Sequence, residues 1–489
     1  MLSTLLGALL PLAFAPYQIW PIAVIVPALV LLLLDNNKSG KRLFLQSWMF
    51  GNGYFGFGVY WVYNSLHDFG QASPPVAALL TTLLIMLLAT YPALALCAWQ
   101  WSKRRIGDRA IWLLPFFWFA LEWLRGWFLT GMPWISLGYA HTESPLAGFG
   151  PVVGVYGISA LSILLSVSIF WMLKKRRYAV ISIIFLVPGT GWLLQTIDWT
   201  ESAGEPLQVT LVQGNIPQQI KWQYKQHQNI FNVYWQETIQ HWDSDLIIWP
   251  ETALPGLSEN IQSSMLTTLS TAAAEQGSSI LTGVIISNQA KRHLYNSMLL
   301  LGEYQGVYHK RHLVIFGEYY PLRWLLNLFR NWINIPYSDL TPGPDTQTLM
   351  SVKGVTLGLS ICFEDAFSRD VMPDVLTANV LVNASNDAWF GDSLAPHQHL
   401  QMAQMRAIEA GRPMLRSTNT GISAFIDTRG RIEQSSEQFT IQSLSQSVQG
   451  YQGVTPFYYF ARAQSIISVL LIGVIWCWIW WYPKKPEHA

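Results

Sequence analysis

Eight apolar blocks, and the sign of the charge between them, constrain this chain more than any other feature. They lie near residues 2–15, 19–35, 43–63, 75–99, 110–129, 150–173, 178–196 and 464–482. A helix needs about 20 mostly apolar residues to cross the roughly 30 Å hydrocarbon layer of a bilayer, and most of these blocks are long enough. The first is short, which suits a tilted or partly interfacial helix. It has no basic residue ahead of its apolar run, so it is expected to be retained rather than cleaved as a signal peptide. Only 12% of the 489 residues are charged, against about a quarter in an ordinary soluble chain. The expectation is a polytopic α-helical membrane domain of about eight spans.

The connecting loops alternate in charge. Lys38, Lys41 and Arg42 follow the second block, and Lys103, Arg104, Arg105 and Arg109 follow the fourth. Lys174, Lys175, Arg176 and Arg177 follow the sixth, and Lys484 and Lys485 follow the last. The intervening loops near 16–20, 64–73 and 130–150 contain no Lys or Arg. Basic loops stay in the cytoplasm. Both termini are therefore expected inside and the long segment 197–463 outside, which in a bacterium with two membranes means the periplasm. The resulting division is 1–196, a membrane domain with seven spans; 197–463, an outer domain; and 464–489, a final span and cytoplasmic tail.

The outer segment returns to an ordinary polar mixture. Apolar β-branched runs at 207–213, 245–249, 279–286, 295–301, 355–361, 378–382 and 423–427 alternate with helix-like stretches at 225–242, 258–275 and 396–411. That order predicts layered α/β packing. The segment has no dinucleotide-binding glycine fingerprint and no basic stripe, which argues against nucleic acid as a partner. Two pieces look membrane-associated. Leu325, Leu328, Phe329 and Trp332 share one helical face between Pro321 and Pro336, suiting an interfacial helix or lid, or else an ordinary packed surface helix. Residues 456–460, Pro-Phe-Tyr-Tyr-Phe, read as an aromatic belt before the last span.

Three short motifs close apolar runs. Glu251 follows Trp249-Pro250, Lys310 lies in Tyr308-His-Lys-Arg-His-Leu-Val-Ile-Phe-Gly-Glu318, and Cys362 ends the run 355–361. Functional groups of α/β folds gather at the carboxyl ends of strands. The other cysteines, Cys97 and Cys477, lie in apolar blocks, so Cys362 has no evident disulfide partner. A thiol must lose its proton to attack a carbonyl, which a nearby carboxylate assists, and the resulting oxyanion needs a cation or aimed donors. Each residue also has a plainer reading. Cys362 suits a packed core thiol, Glu251 a carboxylate facing a helix N-terminus, and Lys310 with Glu318 a surface pair. His397 and His399 form an H-x-H without further ligands to complete a metal site, so they are placed on a helix near the site or solvent, and no cofactor is called for.

The order Glu251, Lys310, Cys362 resembles the carbon–nitrogen hydrolase (nitrilase) superfamily. The likeness extends through Val212-Gln-Gly-Asn-Ile-Pro217, the Lys310–Glu318 stretch and Asn383-Ala-Ser-Asn-Asp-Ala-Trp-Phe-Gly391. With the flanking spans, essentially the whole chain is similar to the apolipoprotein N-acyltransferases within that superfamily. The resemblance implies an α-β-β-α nitrilase-like sandwich, with Glu251 as general base, Lys310 as oxyanion stabiliser and Cys362 as nucleophile. It assigns supporting acidic positions to Glu318 and Glu364, and aromatic positions near the substrate cavity to Trp222 and Trp389. Phe363 stands where a tyrosine is common, so any hydroxyl role there is absent. Ile315 stands where proline is frequent. The implied reaction is ping-pong acyl transfer through a Cys362 thioester. A phospholipid, with phosphatidylethanolamine favoured, is the donor, and the N-terminal diacylglyceryl-cysteine of an apolipoprotein is the acceptor. The same triad with water as acceptor would make a membrane-anchored amidase or nitrilase.

Overall fold

The computed structural model describes residues 1–37, 39–176, 178–257, 263–288, 293–320 and 339–481. The expected lid face at 325–332 lies outside the described residues. The chain divides into two compact units: residues 1–62, 75–198 and 455–489, and residues 63–74 with 199–454. The short segment 63–74, from the loop between two apolar blocks, thus belongs to the second unit.

The first unit is helical. Pro74–Ile106 and Pro145–Lys174 are long and apolar enough to cross a membrane, and Leu2–Ala13, Ile22–Leu34 and Tyr178–Leu194 are shorter apolar helices. Helices Gly40–Gly58, Leu114–Arg125 and Pro456–Trp481 occupy the remaining apolar blocks. Apolar side chains such as Phe185 (72% exposed) and Leu186 (65%) point away from the unit, as lipid-facing residues do. Helices Leu2–Leu9 and Gly40–Gly58 cross closely because Gly53 has no side chain; a Cβ there would lie 2.1 Å from the Thr4 carbonyl oxygen. The Ser162 and Ser166 hydroxyls donate to the carbonyls of Ala23 and Val24, at 3.1 and 2.8 Å, joining two apolar helices by hydrogen bonds. Asp35, buried beyond Ile22–Leu34, pairs with Lys103 and, at 3.6 Å, with Lys174. Three of the basic loops therefore meet at one carboxylate.

Glu122 and Arg125, the charged residues of helix Leu114–Arg125, are both buried and do not bond each other. Glu122 Oε1 accepts from Trp118 Nε1 and Leu137 N, both at 2.9 Å, and Arg125 donates to the carbonyls of Met132 and Trp134. The turn after their helix folds back to supply Leu137 N to Glu122 and both carbonyls to Arg125. In the expected aromatic belt, Phe457 and Tyr458 are buried and Tyr459 is exposed, because the final helix starts at Pro456 and turns its first residues into the unit.

The second unit is built on two sheets. The first contains β1 (Glu201–Gln213), β2 (Leu246–Ile248), β3 (Leu254–Leu257), β4 (Ser279–Asn288), β5 (His293–Gly302) and β6 (Gly306–His309). The second contains β7 (Met350–Val352), β8 (Val355–Ile361), β9 (Val380–Ser385), β10 (Met414–Thr418), β11 (Ala424–Ile426) and β12 (Ile432–Ser435). The last strand, β13 (Gln442–Gln452), returns to pair antiparallel with β1. The orders are β13-β1-β2-β4-β5-β6, with β3 beside β4, and β12-β11-β10-β9-β8-β7. β1, β2 and β4 run parallel, as do β8, β9 and β10.

Alternation sorts the side chains. Val209 and Leu211 of β1 join Leu357, Leu359, Val380 and Val382 between the sheets. Val212 of β1, with Ile247 and Ile280, turns outward to meet Ile230, Phe231 and Tyr234 of helix His227–Thr238 and Leu269 of helix Ser263–Glu275. Helix Ala395–Ala410 covers β10 of the second sheet. The layers form an α-β-β-α sandwich. One contact fixes the site's geometry: a Cβ on Gly283 of β4 would lie 2.3 Å from Thr252 N and 2.6 Å from the Pro250 carbonyl oxygen. The chain leaving β2 passes directly over that glycine. Gly283→Ala is expected to destabilise the protein by about 1–3 kcal/mol through overpacking. Its thermal midpoint should fall, while Gly40→Ala, with nothing within 4 Å of its added methyl, leaves the midpoint unchanged.

Candidate active site

Three strand ends deliver the expected charged groups to one buried place. Beyond β2, the turn holds Glu251 at 7% exposure, with Thr252 at φ +47°. Beyond β6 comes Lys310, 1% exposed, and beyond β8 comes Cys362, 8% exposed with φ +54°. A β-strand that enters a short 3-10 turn at a left-handed residue makes a tight elbow, and such strain for a non-glycine side chain marks functional positions.

Lys310 Nζ lies 3.5 Å from Glu251 Oε1 and 2.9 Å from Glu318. Burial alone would favour loss of its proton, but the two carboxylates outweigh burial and hold Lys310 protonated well above the ordinary lysine range. Asn296 of β5 joins the carboxylates: its Nδ2 donates to Glu251 Oε1 at 2.7 Å and to Glu318 Oε1 at 2.9 Å. The second oxygen of Glu251 accepts from the backbone N–H of Asn386 at 3.0 Å. The second oxygen of Glu318 accepts from Val314 N at 2.7 Å. Burial and the Glu251 charge push the Cys362 thiol up, against the opposing pull of Lys310. These surroundings favour a neutral Cys362 thiol with a carboxylate nearby, an arrangement suited to general-base activation rather than to a standing thiolate.

Glu364 shapes the elbow. Its carboxyl accepts from Tyr308 Oη (2.9 Å) and from the backbone N–H groups of Ile361 (2.6 Å), Arg311 (2.6 Å) and His312 (2.9 Å). It therefore ties the Cys362 turn to the loop after Lys310. Burial raises its pKa to about 7 against those donors. Phe363 is partly buried and packs edge-on against Phe367, 4.9 Å between ring centroids. Trp222 is 49% exposed. Trp389 is half-buried; its carbonyl accepts from Ser65 Oγ at 2.8 Å, and its ring meets Phe69 edge-on at 6.0 Å. Ile315 precedes Phe316, which sits at φ +64° in the turn leading to Glu318.

Under the elbow lies a cluster that sequence reading did not find. Arg416 of β10 donates to Asp365 at 3.2 Å and to Asp387 at 2.9 Å. His399 bridges the same carboxylates, 2.8 Å from Asp387 and 3.0 Å from Asp365. All four side chains are fully buried. Asn383 Nδ2 donates to the Cys362 carbonyl at 3.1 Å, and Ser385 Oγ donates to Asp387 at 2.8 Å. His399 thus sits in the interior beneath Cys362, on a helix by the site as expected, while His397 is partly buried beside Gln438. Burial would lower the His399 pKa, as would Arg416, but Asp365 and Asp387 outweigh both and raise it to about 9. For Asp387, burial is overcome by Arg416 and His399, holding its carboxyl far below the usual range. The signals were weak: Arg416 lies in a strand without alternation, and Asn296 sits beside Ser297 in an otherwise apolar run.

The chain was compared with known proteins. The model of the apolipoprotein N-acyltransferase N-terminal domain matches residues 6–168, and that of carbon–nitrogen hydrolase matches 208–450. An apolipoprotein N-acyltransferase of Methylococcus capsulatus is 40% identical, with 92% of this chain and 90% of the relative covered. One from Coxiella burnetii is 37% identical, with 96% and 99% covered. Among solved structures, a carbon–nitrogen hydrolase from Helicobacter pylori aligns with 53% of this chain and 93% of its own at 14% identity and a TM-score of 0.38.

A raised histidine pKa stabilises the fold below the unfolded value near 6.5, and that contribution is lost as pH rises through about 9. His399→Gln should therefore cost about 3 kcal/mol more at pH 6 than at pH 9.5. The check is the difference in thermal midpoint between wild type and variant at the two pH values.

Proposed function

The chain belongs to the apolipoprotein N-acyltransferase family and is an acyltransferase, and from that premise we propose that Glu251, Lys310 and Cys362 carry the reaction through a thioester. Glu251 takes the Sγ proton as sulfur attacks an ester carbonyl carbon of a phospholipid, phosphatidylethanolamine by preference. Lys310 faces the oxyanion. The intermediate collapses, the carbon–oxygen bond breaks, and the departing lysophospholipid oxygen takes the proton back from Glu251. The free α-amine of a diacylglyceryl-cysteine then attacks the thioester and gives its proton to Glu251. The carbon–sulfur bond breaks, the thiol is restored and an N-acylated lipoprotein leaves. The observation that carries this reading is the buried Lys310 held between Glu251 and Glu318 beside the strained Cys362 elbow.

The second part of the proposal concerns placement. Eight crossings put both termini in the cytoplasm and 197–463 in the periplasm of the inner membrane. The alternation of basic loops and the convergence of Lys103 and Lys174 on Asp35 support it. Lipid substrates then reach the site laterally, and an apolar surround keeps water from the thioester. Glu318 and Glu364 support the reacting groups, while Trp222, Phe363 and Trp389 contribute aromatic surface for acyl chains. Leu322 to Ile335 is the proposed gate.

Incubating the purified full-length protein with phosphatidylethanolamine should yield a fatty-acyl mass on Cys362 that disappears when a diacylated lipopeptide is added. Cys362→Ala should show no adduct. Rapid discharge by water alone would instead favour a hydrolase. Leu325→Ser with Phe329→Ser should raise thioester hydrolysis or slow transfer; unchanged kinetics would remove the gate from the scheme.

A further inference from the structure

A second lysine enters the same centre from another part of the fold. Lys221 ends the short helix Gln218–Lys221 and is 1% exposed, although its neighbour Trp222 is half open to solvent. Its Nζ donates to the backbone carbonyl of Glu251 at 3.1 Å. Among the described residues no carboxylate lies within ion-pairing distance of it. Lys310, by contrast, has two. An interior ammonium without a counter-ion is costly, and it calls for an anion to complete it. The anions generated by the reaction, on Cys362 sulfur and on the attacked carbonyl oxygen, arise in the same buried space.

We propose that Lys221 is a second cation of the reacting centre, anchored on the Glu251 turn and neutralised only when negative charge develops at Cys362. The proposal rests on the thioester reading above. The anchor also acts locally, because the Glu251 carbonyl it holds precedes Thr252, whose φ is +47°. Burial lowers the Lys221 pKa to about 8, against the pull of Glu251 and Cys362. Lys310, Glu318 and Asp387 bear on it through those two groups. Below about pH 8 Lys221 is charged and favours sulfur's anion; above it that help is lost. An α-amine has an ordinary pKa of about 7.7–8.0 and becomes nucleophilic over the same range. The two half-reactions therefore respond to pH in opposite senses: enzyme acylation weakens where amine attack strengthens.

The test uses the full-length enzyme in phosphatidylethanolamine micelles without acceptor, following the acyl adduct on Cys362 by intact mass from pH 6.5 to 9.5. The wild-type acylation rate should fall about tenfold across the range, as loss of one nearby charge shifts the thiol by about one pH unit. Lys221→Met should be slow throughout and match the wild-type high-pH value. Lys221→Arg, whatever its absolute rate, should show no such fall. Iodoacetamide alkylation of Cys362 gives an independent reading: at pH 7, where Lys221 is charged, Lys221→Met should slow it about tenfold. At pH 7, acylation of Lys221→Met within twofold of wild type, with an unchanged alkylation rate, would overturn the proposal. So would a descending limb retained in Lys221→Arg, which decides the matter if the methionine variant does not fold. If wild type forms no adduct, the thioester reading fails, while the alkylation rates at pH 7 still decide the role of Lys221.

Discussion

A positive charge buried at 1% exposure is the constraint on which the site depends. Lys310 keeps its proton in the interior because Glu318 and Glu251 face it, and those carboxylates stay where they are because Asn296 and backbone N–H groups occupy their remaining oxygens. Removing one partner from such a cluster leaves an uncompensated charge, at a cost of about 3–5 kcal/mol. The arrangement is therefore all or none. It also bears on the state of the Cys362 sulfur. The Glu251 charge and the dry surroundings disfavour a thiolate on Cys362 at rest, and the Lys310 charge favours one as the reaction proceeds.

The fold supplies these groups by converging strand ends. Glu251 leaves β2 in the first sheet, and Cys362 leaves β8 in the second, so the two come together only when the two sheets stack. Glu364 ties the Cys362 elbow to the loop after Lys310 through four donors. The Arg416–Asp365–His399–Asp387 cluster fills the space under the elbow with opposed charges, and Asn383 holds the Cys362 carbonyl. Positioning here comes from a dense hydrogen-bond network in the interior, which rigidifies the side chains it joins.

The sequence made some of this legible and hid the rest for physical reasons. Strands such as β4, β5 and β8 were apparent because their apolar residues run together between other layers. β13 was not, since Gln, Ser and Gly dominate it, and its pairing with β1 along the sheet edge is carried by backbone. β10 was missed because all of its residues are buried, Arg416 included, so nothing alternates. Cys362, Glu251 and Lys310 stood out by position at the ends of apolar runs. Lys221 gave no such signal, and His399 stood out only as half of an H-x-H placed on a helix near the site or solvent; tertiary packing shows that both are inside. The segment 63–74 likewise reads as a loop between membrane helices, yet Ser65 and Phe69 hold Trp389.

The central claim is that the resting sulfur is a neutral thiol awaiting a carboxylate base. The most direct measurement is the infrared S–H stretch of the resting enzyme at neutral pH, isolated by subtracting the spectrum of Cys362→Ser so that Cys97 and Cys477 cancel. The account predicts an S–H band assigned to Cys362. A difference spectrum lacking that band, with sulfur already ionised before substrate arrives, would contradict it.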